Sequence, residues 1–214
     1  MISKKKYSFS FTAASALIPE TLIIAEEYDK LKDWKAVQKS LLENNLLNKI
    51  KQSTFKREYS EIKKRLSLLT QDQFHLMTTG SLDETKSMIL LSLAKTYKIF
   101  NDFIVEVIRN KYIMFDRVLS EVDYNRFIDS KSLTHPELSS ISEETLKKVK
   151  QVIFKLLEQA GLITNAKNGT ILKPILSNES FKVIIKEDPR LLTTFLFSNS
   201  EIKSILNKEV NAKL

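Results

Sequence analysis

The sequence contains no cysteine. Disulfides, thiolate metal sites and cysteine nucleophiles are therefore excluded, and the composition suits a reducing compartment. Glycine is almost as scarce: Gly80, Gly161 and Gly169 are the only three in 214 residues, beside four prolines, Pro19, Pro136, Pro174 and Pro189. So few breakers predict long helices and few tight hairpins. Neither a Walker loop nor a dinucleotide fingerprint is present. The two histidines, His75 and His135, stand far apart without neighbouring metal ligands and read as surface or capping residues. The pairs Glu26–Glu27 and Glu143–Glu144 are adjacent, so on a helix they do not face each other and read as charge near helix ends. Nothing points to a Ser/His/Asp site. The chain reads as non-enzymatic, with no catalytic residue, metal, cofactor or small-molecule substrate.

Long apolar runs are missing too. The most apolar stretch, residues 88–115, is interrupted by Lys95, Lys98, Asp102, Glu106, Arg109 and Lys111, whereas a spanning helix needs about 20 nearly unbroken apolar residues. The opening MISKKK is followed by Ser8, Ser10 and Thr12 instead of a signal-peptide core. A cytoplasmic protein without a membrane partner is expected.

What is there is a core and an excess of positive charge. The apolar fraction, 43%, is near the globular norm. The net charge of +8 is unevenly spread: residues 1–70 carry 14 basic and 8 acidic side chains, residues 71–141 carry 8 and 10, and residues 142–214 carry 12 and 8. Two basic ends around a slightly acidic middle suit a polyanionic partner, or else serve solubility alone.

Tyr7, Phe9 and Phe11 alternate with polar residues, as in an arm or short strand. A first helix follows Pro19; Asp33 is placed to cap a second from Trp34 to about Leu42; Ser53 or Thr54 is expected to cap a third, with Phe55, Tyr59, Ile62, Leu66 and Leu69 on one face. Thr70 with Gln73, and Ser81 with Glu84, form capping boxes. Residues 82–115 are apolar on nearly every side and read as one or two core helices, and Trp34, Tyr97 and Tyr112 read as core. Ser120 with Asp123 starts another helix, residues 130–141 make the best linker, and Ser142 caps a long helix ended by Gly161. Two short apolar runs around the loop NAKNG, residues 165–169, read as a β-hairpin. Helices near residues 178–187, 189–198 and 199–210 close the chain. The expected fold is mainly α, with a helical domain over residues 1–130 and a winged-helix-like one over 131–214 that carries one small hairpin.

Two constellations point to a partner. Residues 33–69 form a helix-turn-helix-like segment in which Lys49, Lys51, Lys56, Arg57, Lys63, Lys64 and Arg65 face only Glu58 and Glu61, while Ser53 and Thr54 stand ready to donate to phosphate. The second is the helix after Ser142 with its hairpin, a recognition helix and wing in outline: Lys147, Lys148, Lys150, Gln151 and Lys155 lie on the helix, Lys167 on the turn and Lys173 behind it. Solvated helix faces and a merely structural hairpin remain the plain alternatives. Lysines outnumber arginines here, and lysine is a point charge that reads bases poorly, so contact with the backbone of duplex DNA is expected, with little sequence readout.

The opening YSFSFTAASALIPETLIIAEEY, DWKAV, LLENNLL, IKKRLSLLT, LAKTYKIFNDFIVEVIRNKY and HPELSSISEETLKKVKQVIFKLLEQAGLI, taken in order, resemble the BrxA family of bacteriophage exclusion (BREX) systems over roughly residues 7–176. The resemblance implies a cytoplasmic helical protein with two subdomains, able to bind DNA and encoded beside a methyltransferase, a phosphatase-like protein and ATPases. It brings no catalytic residues and no motif for DNA contact. An adaptor that assembles other phage-defence proteins is the competing expectation.

Overall fold

The computed structural model describes residues 6–13, 16–167 and 169–211. Among them are twelve α-helices: α1 (Ile18–Leu31), α2 (Trp34–Glu43), α3 (Gln52–Leu66), α4 (Gln71–Thr79), α5 (Leu82–Thr96), α6 (Lys98–Phe103), α7 (Arg109–Ile113), α8 (Glu121–Ser132), α9 (Pro136–Ser139), α10 (Glu143–Gln159), α11 (Asn178–Glu187) and α12 (Asn199–Asn211). The mainly α expectation holds.

Most helix starts follow from short polar side chains. Asp33 accepts from the Ala36 amide, Ser142 from that of Thr145, and Ser177 from that of Ser180. Thr70, Ser81 and Ser120 each form a complete capping box, satisfying amides that a helix start leaves without carbonyl partners. The expectation for α3 needs correction. Lys51 is its N-cap and no side chain caps it; Ser53 and Thr54 lie inside the first turn.

The core is organised around α5, buried at ten of its 15 positions, as a helix without a polar side must be. α3, α4, α6 and α11 pack against it. The one or two core helices expected over residues 82–115 are divided at Tyr97, where the backbone is extended although neither glycine nor proline is present. The Tyr97 ring lies fully buried, edge-on to Phe11, and its hydroxyl joins Arg65 to Glu61. Between α6 and α7 the backbone widens into a π-helical stretch, Ile104–Ile108.

Residues 6–13, 16 and 17 are neither a free arm nor a strand. They include a short 3-10 turn, Ser10–Ala13, and form a strap that sinks Tyr7, Phe11 and Ala16 into the core. Tyr7 donates its amide to Glu137 (2.7 Å) and its hydroxyl to Asp102 (2.8 Å), and stacks on His135 at 3.8 Å between centroids. His135 is thus buried under Tyr7 and not a surface residue; it stands at the N-cap position of α9, where its side chain makes no cap bond. Ser10 donates to Glu61 of α3, while the Ala16 amide donates to Gln159 Oε1 of α10.

Gly161 ends α10 with φ of 74°, a conformation cheap only for glycine. Beyond it the chain doubles back. Thr164 donates to the Thr170 carbonyl (3.1 Å) and Leu172 to that of Leu162 (2.8 Å), while Ile171 and Leu119 donate to the carbonyls of Arg117 and Gly169. These pairings amount to isolated antiparallel bridges, Ile163 to Ile171 and Val118 to Thr170, and no strand of regular length occurs among the described residues. Asn168 of the expected turn lies outside them. Residues 117–119, from ahead of the expected linker, therefore pair with residues beyond it.

Candidate nucleic-acid interface

On α3 the buried residues are Phe55, Glu58, Tyr59, Ile62, Arg65 and Leu66. At 3.6 residues per turn, these six positions share one side of the helix. Ser53, Ser60 and Ser67 run down the opposite side, with Lys56 and Lys63 along one flank and Arg57 and Lys64 along the other. Each flanking pair is seven residues apart, about 10 Å along the axis, or roughly three base-pair steps of duplex. Lys56, Arg57 and Lys64 are exposed and Lys63 is half-buried.

What makes this face cationic is where its acids go. Glu58 is buried and meets Lys49, whose ammonium lies 2.9 Å from both Glu58 and Glu20. Hydrogen bonds to Glu20 and then Glu58 hold the Lys49 ammonium above its ordinary pKa. Glu61 accepts from Tyr97 (2.6 Å) and Ser10 (3.1 Å). With both carboxylates turned inward, Lys51, Lys56, Arg57, Lys63 and Lys64 make no ion pair among the described residues. Lys64 reaches only the Ser10 hydroxyl (3.3 Å) and the Tyr97 ring.

Two of the expected contact residues are misplaced for a duplex. Arg65 is 1% exposed and donates to the Tyr97 hydroxyl (2.8 Å) and the Ala16 carbonyl (3.1 Å), so it stabilises the interior. Lys49 is committed to its two carboxylates. The sequence marks both as interface residues because it shows that a charge is there but not which way it points. Ser53 is exposed and Thr54 half-buried in the uncapped first turn.

The second constellation divides. Lys147, Lys148 and Gln151 are exposed on α10, and Lys167 on the turn beyond it. Lys150 pairs with Glu121 (2.9 Å), Lys155 with Glu158 (2.6 Å) and Lys173 with Glu201 (2.7 Å). Lys173 also lies 4.0 Å from the Phe197 ring centroid. This face is positive but partly neutralised.

A feature that the sequence does not announce is a cleft of about 560 Å³ at the foot of α3. Trp34 is half-buried in its wall instead of lying in the core, and stacks on Tyr28 at 3.9 Å. Lysine ammonium groups near aromatic rings, as at Lys63 over Trp34 (5.7 Å), carry no sequence signature when ring and charge are 29 positions apart. No group of three or more histidine, aspartate or glutamate side chains able to hold a metal occurs among the described residues. No helix among them is long and apolar enough to cross a membrane.

The fold and these surfaces define a class of mainly helical proteins that present unpaired cationic helix faces. Within that class the chain belongs to the BrxA family, whose model matches residues 5–188. It is 26% identical over 180 residues to the BREX protein BrxA of Bacillus cereus (strain H3081.97), covering 83% of this chain and 89% of that relative. It is also 26% identical over 165 residues to the BREX protein BrxA of Escherichia coli O9:H4 (strain HS), covering 77% and 78%. Its fold is shared with the crystal structure of an uncharacterized protein from Magnetospirillum magneticum, with a TM-score of 0.73 and 17% identity over 90% of this chain and 98% of that one.

Proposed function

We propose that this member of the BrxA family is a non-enzymatic, cytoplasmic DNA-binding component of a BREX phage-defence system, and that it holds duplex DNA by the backbone through the outer face of α3. The observation that carries this reading is the engagement of Glu58 by Lys49 and of Glu61 by Tyr97 and Ser10, which leaves Lys56, Arg57, Lys63 and Lys64 on one face without an ion pair among the described residues. Hydroxyls of Ser53 and Ser60 lie between the two cationic flanks, and the first-turn amides of α3 have no side-chain cap. Hydroxyls, backbone amides and cations of this kind contact phosphate and carry no direct sequence information.

Lys147, Lys148, Gln151 and Lys167 make the second, weaker contact. The order of a short extended piece (117–119), three helices (α8, α9, α10) and two paired segments (162–164 and 170–172) supports a reduced winged helix. In this reading the second unit starts ahead of residue 117 instead of at 131, and a mixed acidic and basic α10 gives it less affinity than α3. The test is a gel-shift titration of the full chain against one duplex at 50 and at 200 mM salt, conditions between which about 4–6 neutralised phosphates cost on the order of a hundredfold in affinity or more. Binding indifferent to salt, or none at the lower concentration, overturns the reading.

One observation favours a second reading, an adaptor for other phage-defence proteins. Met114 and Phe115 are 78% and 82% exposed, and Val118 and Val122 are more than half exposed; large apolar side chains grouped on one segment mark association surfaces. A partner retained from nuclease-treated lysate and released by Phe115→Asp, with DNA affinity unchanged, is the result this reading requires.

A further inference from the structure

The cleft at the foot of α3 joins the cationic face directly. Ser67, the last residue of the serine row, lines it, and Lys63 reaches from that face to the ring of Trp34. Inside, Tyr28 and Trp34 form a near-parallel stack (3.9 Å, 19°), and Phe74 meets Tyr28 edge-on at 5.5 Å. An exposed imidazole, His75, and the amide of Gln71 stand beside them. Flat aromatic walls with a few polar groups suit a flat heterocycle. The volume, about 560 Å³, falls in the range of small-molecule pockets.

An incoming cation is the other chemistry that aromatic walls attract, and the local charges disfavour it. Asp29 is already paired with Lys32 and Asp72 with Lys186, each at 2.5 Å, and an ammonium already lies over Trp34. A neutral, stackable group has only the Lys63 ammonium to displace, and at 5.7 Å from the Trp34 centroid that ammonium is loosely held on a flexible side chain. Of the nearby ammonium groups, that of Lys63 makes no ion pair among the described residues and suits the phosphate that accompanies a base.

We infer that this cleft receives an unpaired nucleobase from a DNA strand, extending the Tyr28–Trp34 stack while the strand's backbone lies along the α3 face. The inference rests on the DNA-binding reading. It gives the protein a preference for single-stranded or locally unpaired DNA that a backbone contact alone does not provide, because stacking accepts any base but needs it out of the duplex.

Trp34 is the only tryptophan in the chain, so intrinsic tryptophan emission reports on this cleft alone. The full-length protein is titrated with an oligothymidylate, a fully paired hairpin of matched length, thymidine monophosphate and a lysine-rich peptide. The oligothymidylate is expected to quench Trp34 saturably, the paired hairpin to bind without comparable quenching, and the monophosphate to quench only at much higher concentration. Fluorescence anisotropy with labelled DNA then follows the variants. Trp34→Leu should lower the single-strand to duplex affinity ratio about ten- to a hundredfold, and Trp34→Tyr should restore it. If the oligothymidylate binds without quenching, or Trp34→Leu leaves the ratio unchanged, the inference fails. Quenching by the peptide and not by the oligothymidylate also overturns it, in favour of a cationic ligand. These outcomes are separable from failure of the DNA-binding reading, in which neither DNA form binds; and because quenching is read on the parent protein, the test survives poor folding of a variant.

Discussion

Arg65, 1% exposed, donates to the Tyr97 hydroxyl and the Ala16 carbonyl. Truncating such a group removes packing and leaves its acceptors without a donor inside the protein. Arg65→Ala is therefore expected to cost about 3–5 kcal/mol in urea unfolding, and Arg65→Lys to recover little, because one ammonium cannot reproduce the planar fork. Lys64→Ala, one position away on the exposed flank of α3, should change stability by less than about 0.5 kcal/mol and lower DNA affinity instead. The same scale governs acid sensitivity. Burial pushes the Glu137 carboxyl up, but hydrogen bonds from the Tyr7 and Glu137 amides and from His135 outweigh it and hold its pKa at about 2. Its contribution is thus fully present above the ordinary glutamate value of 4.5 and is lost as pH falls through about 2. Unfolding free energy measured from pH 5 down to about pH 2 should drop less steeply in Glu137→Gln than in the parent.

Helix starts are the most legible elements in the sequence, because a cap is a local bond between residues two or three apart. Asp33, Thr70, Ser81, Ser120 and Ser142 all cap as their spacing predicts. Ser53 and Thr54 do not, because the chain begins α3 earlier, at Gln52. Asp33→Ala should accordingly cost about 1 kcal/mol of stability, and Ser53→Ala under about 0.5 kcal/mol, as equilibrium denaturation can measure. The break at Tyr97 is illegible for the converse reason: it is imposed by partners at Arg65, Glu61 and Phe11, more than 30 positions away. Of the hairpin expected around residues 165–169, the antiparallel return of residues 170–172 onto 162–164 is legible, while the isolated bridges found there and the pairing with residues 117–119 follow from no local pattern.

Among the described residues, one buried apolar cluster extends from Tyr7 to Ile202, and the strap ties α3 through Ser10, α10 through Ala16 and the segment around His135 through Tyr7. The uneven charge along the chain points to the cationic helices, and amphipathic spacing points to the outer face of α3. Which charges survive as free surface is decided only in three dimensions, where Lys49, Lys150, Lys155 and Lys173 find carboxylates and Arg65 turns inward. What remains for a polyanion is compact. The most direct test of that surface compares the slope of log binding constant against log salt for the parent and for the combined variant Lys56→Ala, Arg57→Ala, Lys63→Ala, Lys64→Ala on the same duplex. The parent slope should be about −4 to −5, and the variant's shallower by about 3 to 4, since each phosphate that the variant no longer neutralises accounts for about 0.9 of the slope. A variant that keeps both its fold and the parent slope would contradict the assignment of DNA binding to α3.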